Sequence, residues 1–211
     1  MRSMDPADRA HDLTCLQLEL ECIGFDENGY LTRIPCDNPD DIARFFVVKY
    51  ETSYATYFRA DVEHDIIKRL QAFSAEHLFN DSNIVMSILY QRSLPQEPSR
   101  FVSYVFTQCP LSEEFSDVTQ QDENFVVVYE NKIVSRAWAS RQNTRAAELA
   151  VQTDPNFRRR GYGRQVCSAW AAYQLGHNRI AFYSHLYNNA ASRALAQNLG
   201  TVPFLDGINY P

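Results

Sequence analysis

Four arginines and two glycines lie within the seven residues from Arg158 to Arg164. A predicted strand ends before them and a predicted helix begins at or near Gly161, so the first backbone N–H groups of that helix have no partner within it. Gly161 and Gly163 let an anion approach these amides, while the arginines add charge and paired donors. We therefore predict a phosphate or pyrophosphate site, with a solvated helix start as the alternative. The site comprises Arg158, Arg159, Arg160, Gly161, Tyr162, Gly163 and Arg164.

Two familiar nucleotide-binding motifs do not fit this stretch. A P-loop ends in Gly-Lys-Ser or Gly-Lys-Thr, and no such ending occurs here. A dinucleotide fingerprint has three glycines spaced GxGxxG, whereas this loop has only Gly161-x-Gly163. A phosphate-dependent nucleotide binder of another kind stays open as one candidate function.

The last third of the chain contains the elements that would position this loop. Apolar and polar residues alternate in segments typical of strands, and apolar residues recur at helical spacing in two others. The order is hairpin, strand, helix, strand, helix, strand, and the strands flanking the arginine-rich helix should be parallel. The strands are predicted at Phe125–Glu130, Ile133–Ser140, Ala146–Thr153, Arg179–Ser184 and from Thr201; one helix runs from Gly161 to a cap at Gly176, the other from Asn188 or Asn189 to Gly200.

The first half has weaker patterns. We predict strands at Phe45–Tyr50 and Phe101–Phe106, a long helix over Tyr57–Leu78, and a connector at Pro95–Pro98. The stretch from 110 to 124 is polar and acidic, which indicates a link. The expected organisation is therefore an N-terminal α/β segment at 1–110, supplying an acceptor-side wall or a degenerate second lobe, and a second domain at 111–211.

Composition excludes several classes of protein. The formal net charge is −6, which is unfavourable for general nucleic-acid binding. No stretch is apolar enough to cross a membrane, and the polar first residues lack a secretory signal, so we expect a cytoplasmic protein. The five cysteines are scattered without a CxxC pair, which makes a zinc knuckle or a disulfide framework unfavourable, and we expect no metal.

The spacing Arg158-x-x-Gly161-x-Gly163 resembles the R/Q-x-x-G-x-G/A motif of the GNAT superfamily of N-acetyltransferases. LAVQTDPNFRRRGYG resembles the strand, proline, aromatic residue and basic glycine loop of that family, and YSHLYNNAASRALAQNLG resembles a later helix beside the pantetheine arm. The resemblance covers roughly residues 125–205, and these segments also look like a bacterial subgroup of largely unassigned acceptor. It implies a mixed α/β GNAT fold: a central mixed, mostly antiparallel sheet with splayed parallel strands, flanked by helices.

The same resemblance implies that acetyl-CoA is the acyl donor and assigns residues to its parts. Ala150, Val151 and Thr153 match the splayed strand that pairs with pantetheine, and Arg158 to Arg164 match the pyrophosphate loop. Asn189, or Asn188 one residue earlier, matches an asparagine that contacts the pantetheine arm. Ser192 follows on that helix. A plain helix cap is the alternative for Asn189.

One position departs from the family. Many members have a tyrosine that protonates the departing thiolate, and here that position is Ala196. Tyr183, Tyr187, Ser192 or a water could replace it, or the thiolate could leave unassisted. The departure motivates an alternative function: a catalytically silent acyl-CoA-binding regulator.

Transfer to an amine also needs a base, because an ammonium is not nucleophilic. Glu148, on the strand that would present the thioester, is the first candidate; a salt bridge to Arg145 or Arg136 is its alternative role. His185 is the second candidate, with a structural role as its alternative. The expected function is acetyl transfer to a primary amine of a small molecule or peptide, directly within a ternary complex. Aromatic-rich stretches leave room for a homodimer interface.

Overall fold

The computed structural model of the chain describes residues 6–34, 42–91, 97–110 and 115–211. These residues form helices and a large mixed sheet, as the α/β prediction required. The helices are α1 (Pro6–Leu20), α2 (His64–Gln71), α3 (Ala75–Asn80), α4 (Ser82–Leu89), α5 (Tyr162–Gly176) and α6 (Ala190–Asn198). The strands are β1 (Ile23–Phe25), β2 (Leu31–Arg33), β3 (Phe45–Tyr50), β4 (Ser53–Phe58), β5 (Ser99–Val105), β6 (Thr119–Gln121), β7 (Asn124–Tyr129), β8 (Lys132–Gln142), β9 (Ala146–Thr153), β10 (Ile180–Leu186) and β11 (Val202–Tyr210).

The chain divides into two compact units. Unit 1 comprises Met1–Val102 together with Phe204–Pro211, and unit 2 comprises Ser103–Pro203. This division differs from a single break near residue 110, because the end of β11 belongs with the first part of the chain. The functional roles expected for 1–110 and 111–211 stay predictions.

Unit 1 is built on β3, which is antiparallel to β4 on one side and to β11 on the other. The sequence FFVVKY of β3 is almost fully buried, as expected of a strand in the middle of a packed sheet. Helices α2, α3 and α4 supply Leu70, Leu78 and Val85 to the same core cluster as Phe45 and Tyr210.

The predicted helix over Tyr57–Leu78 is wrong. Tyr57 and Phe58 lie in β4, which forms a tight hairpin with β3, and two short helices follow. Helix α2 ends at Gln71, and α3 begins after Ser74, whose hydroxyl accepts a hydrogen bond from the His77 amide at 3.2 Å. A serine that caps a helix favours a new start over continuation. Helices α1 and α4 were not predicted, and Pro95 and Gln96 of the predicted connector lie outside the described residues.

Unit 2 contains the strand order β10-β9-β8-β7-β6. Strands β7 and β8 form the predicted hairpin, and β9 has the predicted bounds, Ala146–Thr153. Strands β9 and β10 are parallel, as the strand–helix–strand order required. Part of the predicted link before β7 is the short edge strand β6.

Helix α5 packs its apolar side on the sheet of unit 2. Val166 and Trp170 are fully buried, and the Trp170 ring lies 6.3 Å from that of Phe106, between ring centroids. The predicted cap at Gly176 is wrong by one residue: Gly176 is the last helical residue and His177 is the C-cap. The left-handed conformation occurs at Asn178, with φ of 57°. Asparagine adopts that conformation more readily than most residues.

One described cysteine, Cys22, differs from the expectation of free thiols. Cys22 is disulfide-bonded, whereas Cys15, Cys109 and Cys167 are free. Burial raises the pKa of the Cys167 thiol, consistent with the packing role expected for it. Among the described helices, none is long and apolar enough to cross a membrane.

Two glycines allow a matched test of packing. A Cβ at Gly207 would lie 2.7 Å from the ring of Phe46 and 2.8 Å from that of Phe101, whereas a Cβ at Gly176 would meet nothing within 4 Å. We expect Gly207→Ala to lower the free energy of unfolding by about 1–3 kcal/mol through overpacking. Gly176→Ala should raise it by roughly 0.5–1 kcal/mol through helix propensity. Urea unfolding of both variants measures the difference, and equal shifts would contradict this account of Gly207.

Candidate functional site

The parallel pairing of β9 and β10 ends part-way along both strands. Its last pair is Phe182 with Glu148, yet β9 continues to Thr153 and β10 to Leu186. On its other side β9 stays paired with β8 as far as Thr153 opposite Ser135. We call the diverging segments, 149–153 and 183–186, the fork. Ala150, Val151 and Thr153, the predicted pantetheine residues, all lie on it and are half-buried.

The loop after β9 leads directly into α5. Asp154 caps a short 3-10 helix by accepting from the Asn156 amide at 2.8 Å. Gly161 is the N-cap of α5 with φ of 84°, in the left-handed region that favours glycine. A glycine has no side chain to cap the helix, so no protein oxygen from the N-cap position covers the first amides, such as those of Tyr162 and Gly163. The N-terminus of α5 is therefore suited to an external anion.

Gly163 has a different reason for being glycine. A Cβ there would lie 3.3 Å from the Thr153 hydroxyl, which is itself 2.8 Å from the Ser135 hydroxyl. The absent side chain lets the first turn of α5 approach the end of β9. The two glycines thus have separate roles: one permits the turn and the other brings the helix N-terminus next to the fork.

The arginines of the loop have unequal surroundings. Arg158 donates through Nε to the Thr153 carbonyl at 3.2 Å. Arg160 donates to the Asn156 carbonyl at 3.3 Å, and its guanidinium lies 4.9 Å from the centroid of the Phe157 ring. The Arg159 guanidinium is exposed and, within the described residues, has no ion-pair or hydrogen-bond partner. Arg159 is the loop cation best placed to meet a ligand.

Glu148 lies at the last rung before the fork and is only 3% exposed. Its Oε2 accepts from Arg141 Nη1 at 2.9 Å, and its Oε1 accepts from the Ser184 hydroxyl. Arg145 and Arg136 were the partners suggested by the sequence, whereas the ion pair is formed by Arg141, because a bulge in β8 shifts the register and sets Arg141 opposite Glu148. The ion pair compensates the cost of burying the carboxylate.

His185 has protein partners at both ring nitrogens. Nδ1 lies 2.9 Å from the Leu186 carbonyl, and Nε2 lies 3.3 Å from the Tyr104 hydroxyl. A carbonyl can only accept, so the proton lies on Nδ1, and in the neutral ring Nε2 accepts from Tyr104. The ring also stacks on Tyr104 with centroids 5.4 Å apart. These contacts favour the structural role over proton transfer.

Tyr183 lies buried on the diverging part of β10. Burial raises the pKa of Tyr183 to about 12, and the nearby Ser192 hydroxyl of α6 opposes that shift without cancelling it. Ala196, the position of the tyrosine in many family members, is fully buried. Ser192 is one helical turn before Ala196 and is on the same face of α6.

Asn189 caps α6. Its side-chain oxygen accepts from the Ser192 amide at 3.1 Å, which is the role the simpler alternative gave it. Arg141, Ser184 and Tyr104 were not singled out from the sequence. Each belongs to the site through a cross-strand contact, which no local pattern signals.

A separate cavity of about 930 Å³ lies wholly within unit 1. Several arginines line it, and two of them already have protein partners. Arg59 is hydrogen-bonded to Asp61 and to the Ile42 carbonyl, and Arg44 is hydrogen-bonded to Glu63 and to the Leu89 carbonyl. Across 6–34, 42–91, 97–110 and 115–211, no cluster of three His, Cys, Asp or Glu residues could hold a metal ion.

Comparison with known proteins places the chain in a family. A sequence model of the GNAT acetyltransferase family matches residues 40–202, more than half of the chain. No curated protein matches it. A GCN5-related N-acetyltransferase-like protein from Streptococcus suis 89/1591 is 10% identical, with 98% of this chain and 100% of that chain covered and a TM-score of 0.47.

Two further solved structures are similar at the same low level. An acetyltransferase of the GNAT family from Colwellia psychrerythraea is 11% identical, covering 90% of this chain and 80% of that chain, with a TM-score of 0.43. A GCN5-related N-acetyltransferase from Sphaerobacter thermophilus is 12% identical, covering 89% and 80%, with a TM-score of 0.43. Likeness at this level carries no argument by itself, and the family assignment depends on the sequence match. That match supports an enzyme rather than the silent regulator: the chain belongs to the GNAT acetyltransferase family and is an acyltransferase.

Proposed function

We propose that this acyltransferase moves an acetyl group from acetyl-CoA to a primary amine by direct transfer within a ternary complex. The observation that carries the proposal is the fork beside an α5 N-terminus whose N-cap is a glycine. The strand edge and the helix N-terminus that follows it along the chain offer two chemically different subsites. One suits an extended amide chain and the other suits a diphosphate.

The fork supplies the subsite for the pantetheine arm. Residues 149–153 are held on one side by β8 and diverge from β10 on the other. Backbone N–H and C=O groups along such an edge pair with an extended amide chain as an added strand would. We assign this pairing to Val151 and Thr153, with Val151 donating its amide to the thioester carbonyl oxygen. The Asp154 amide donates to the Val134 carbonyl, so in this register the backbone groups of Ala150 face β8 and Ala150 lies between the two pairing residues.

The loop supplies the subsite for the diphosphate. The helix dipole and the first amides of α5, at Tyr162 and Gly163, favour negative charge. Arg159 adds an exposed guanidinium, which binds phosphate oxygens in pairs. Arg158 and Arg160 shape the loop through its own carbonyls, and Arg164 lies in the first turn of α5.

Acetyl-CoA supplies the activated acyl group, and the protein must take a proton from the attacking amine. We assign the final uptake of that proton to Glu148, the buried carboxylate at the base of the fork. His185 is the weaker candidate, because both of its nitrogens already have protein partners.

Tyr183 stays protonated at neutral pH, because its pKa is raised to about 12. Complete transfer of its proton to the departing thiolate would be uphill, because a thiol is a stronger acid than this phenol. We therefore assign Tyr183 and Ser192 a hydrogen-bonding role near the thiolate, rather than that of an acid that fully ionises. The acceptor is a small-molecule or peptide amine; a cytoplasmic location and a homodimer are part of the same proposal.

The first prediction concerns the diphosphate. We expect Arg159→Ala to weaken acetyl-CoA binding by about tenfold or more, because a hydrogen bond to a charged group contributes about 1.5–3 kcal/mol. S-acetylpantetheine lacks the diphosphate, so its kcat/KM should not change. Lys132→Ala, which removes an exposed cation at the first residue of β8, is the matched control. Calorimetry and steady-state kinetics measure both effects, and equal losses for the two donors would contradict the assignment.

The second prediction concerns the base. Glu148→Gln should lower kcat by about a hundredfold or more, in the range of general-base catalysis. The Kd for acetyl-CoA should change little, since the carboxylate does not bind the donor in this proposal. Arg141→Lys, which keeps a positive charge beside Glu148, is the control and should lose much less. Unchanged turnover in Glu148→Gln would remove the residue from the mechanism.

The third prediction concerns Tyr183. Because its pKa is raised, the phenol keeps its proton from about pH 6 to about pH 10, and kcat should show no basic limb from it in that range. Tyr183→Phe should lower kcat by no more than about tenfold, the contribution of one hydrogen bond. Tyr129→Phe, which changes an exposed tyrosine at the end of β7, is the control. A loss above about a thousandfold would instead identify Tyr183 as the acid.

A further inference from the structure

We infer that the Ser184 hydroxyl takes the proton from the acceptor amine and passes its own proton to Glu148. The inference depends on the proposed function and goes beyond it. It assigns the contact with the amine to a residue that neither the family match nor the loop motif identifies.

Burial separates Glu148 from a substrate. The residue is 3% exposed, and its side chain is 4% exposed against 33% for Arg141. Both carboxylate oxygens already accept hydrogen bonds, Oε2 from Arg141 and Oε1 from Ser184. An amine nitrogen needs an oxygen within hydrogen-bond distance of its own proton. Reaching Glu148 directly would require the amine to displace one of these partners.

Of Arg141, Glu148 and Ser184, Ser184 is the residue that lies in the fork. It lies two residues beyond Phe182, which is the last β10 residue paired with β9. Side chains two apart on a strand share a face, so Ser184 is on the face of Phe182 and of its pair Glu148. Ser184 is half-buried rather than fully enclosed. Its hydroxyl donates to Glu148 and retains acceptor lone pairs for a proton from outside.

The proton transfer is balanced without a further reactant. The acceptor's N–H bond breaks and its proton bonds to Ser184 Oγ, while the original Ser184 proton moves to Glu148 Oε1. Ser184 ends as a hydroxyl again and Glu148 ends as a neutral acid. The acceptor enters as an ammonium, so the electron pair left on nitrogen is free to bond to the acyl carbon, while the carbonyl π electrons move to oxygen. Glu148 releases this first proton to solvent, and the same relay then removes the second N–H proton as the carbonyl re-forms and the C–S bond breaks. The thiolate leaves with the electron pair of the C–S bond and takes up one proton from solvent, so one proton is released overall.

The hydrogen bond from Ser184 to Glu148 also explains the role of Arg141. A buried carboxylate needs a compensating charge, and the β8 bulge sets this arginine opposite Glu148. The pair fixes Oε2, so Oε1 faces the diverging strand, where Ser184 donates. Arg141 is thus a positioning residue, and Ser184 is the catalytic one.

The test compares Ser184→Ala, Ser184→Thr, Glu148→Gln and the double variant Ser184→Ala/Glu148→Gln. We expect Ser184→Ala to lower kcat/KM for the amine by about a hundredfold with the Kd for acetyl-CoA unchanged. The double variant should be no worse than Glu148→Gln, because the two residues act as one unit. Ser184→Thr keeps the hydroxyl and should recover most of the activity.

A pH profile gives a readout that a packing role would not move. The ratio of wild-type to Ser184→Ala rates should fall as pH rises through the pKa of the acceptor amine, since a neutral amine has one proton fewer to lose. Two outcomes would overturn the relay alone. In one, the loss of kcat/KM in the double variant equals the product of the two single losses. In the other, kcat/KM of Ser184→Ala stays within about threefold of wild type. If wild-type protein binds acetyl-CoA but releases no thiol with any amine, both the relay and the proposed function are overturned.

Discussion

The site depends on one constraint: β9 is held by two neighbours for its first residues and by one thereafter. Buried backbone N–H and C=O groups need partners, so a strand that loses a neighbour inside a sheet must obtain them from elsewhere. Strand β8 remains paired with β9 as far as Thr153, which keeps the backbone groups of the diverging edge in a fixed register. The edge is therefore prepared before any ligand arrives, and a ligand need not order it.

Electrostatics complements this geometry over a short distance. The whole chain is acidic, with a formal charge of −6, yet the loop at the end of β9 is cationic and leads into the positive end of a helix dipole. Charges of opposite sign thus lie at the two ends of the diverging edge: the ion-paired carboxylate Glu148 at its base, and Arg159 with the α5 amides beyond Thr153. A ligand that is anionic at one end only can bind in one direction along that edge.

Much of unit 2 could be predicted from the sequence, because its elements are delimited by local residues. Proline at 155, glycine at 161 and asparagine at 189 each mark a boundary through backbone or capping chemistry, and β9 has the bounds its pattern predicted. The helix prediction over Tyr57–Leu78 failed because Phe58 of β4 falls at helical spacing with the apolar residues Ile66 and Leu70 of α2. Burial against β3 decides between strand and helix for Tyr57 and Phe58, and that burial is a long-range contact.

The side-chain partners of Glu148 could not be predicted from the sequence for a related reason. A regular β8–β9 ladder would continue from Ala139 opposite Leu149 to Ser140 opposite Glu148, but the bulge substitutes Arg141. A one-residue slip exchanges the faces of a strand, and nothing in RQNTR signals it. Ser184 comes from a strand beyond a helical crossover, so its approach to Glu148 depends on where the parallel ladder ends.

The pairing of β3 with β11 has a consequence for biosynthesis. It joins Phe45 to Tyr210 and Lys49 to Asp206, so the partner of an early strand emerges from the ribosome only after all of unit 2. Until then one side of β3 is an open, apolar edge, which is the kind of surface that recruits other chains. Nascent chains must therefore keep this edge of β3 protected until β11 has emerged, so the sheet of unit 1 can be completed only after synthesis of unit 2.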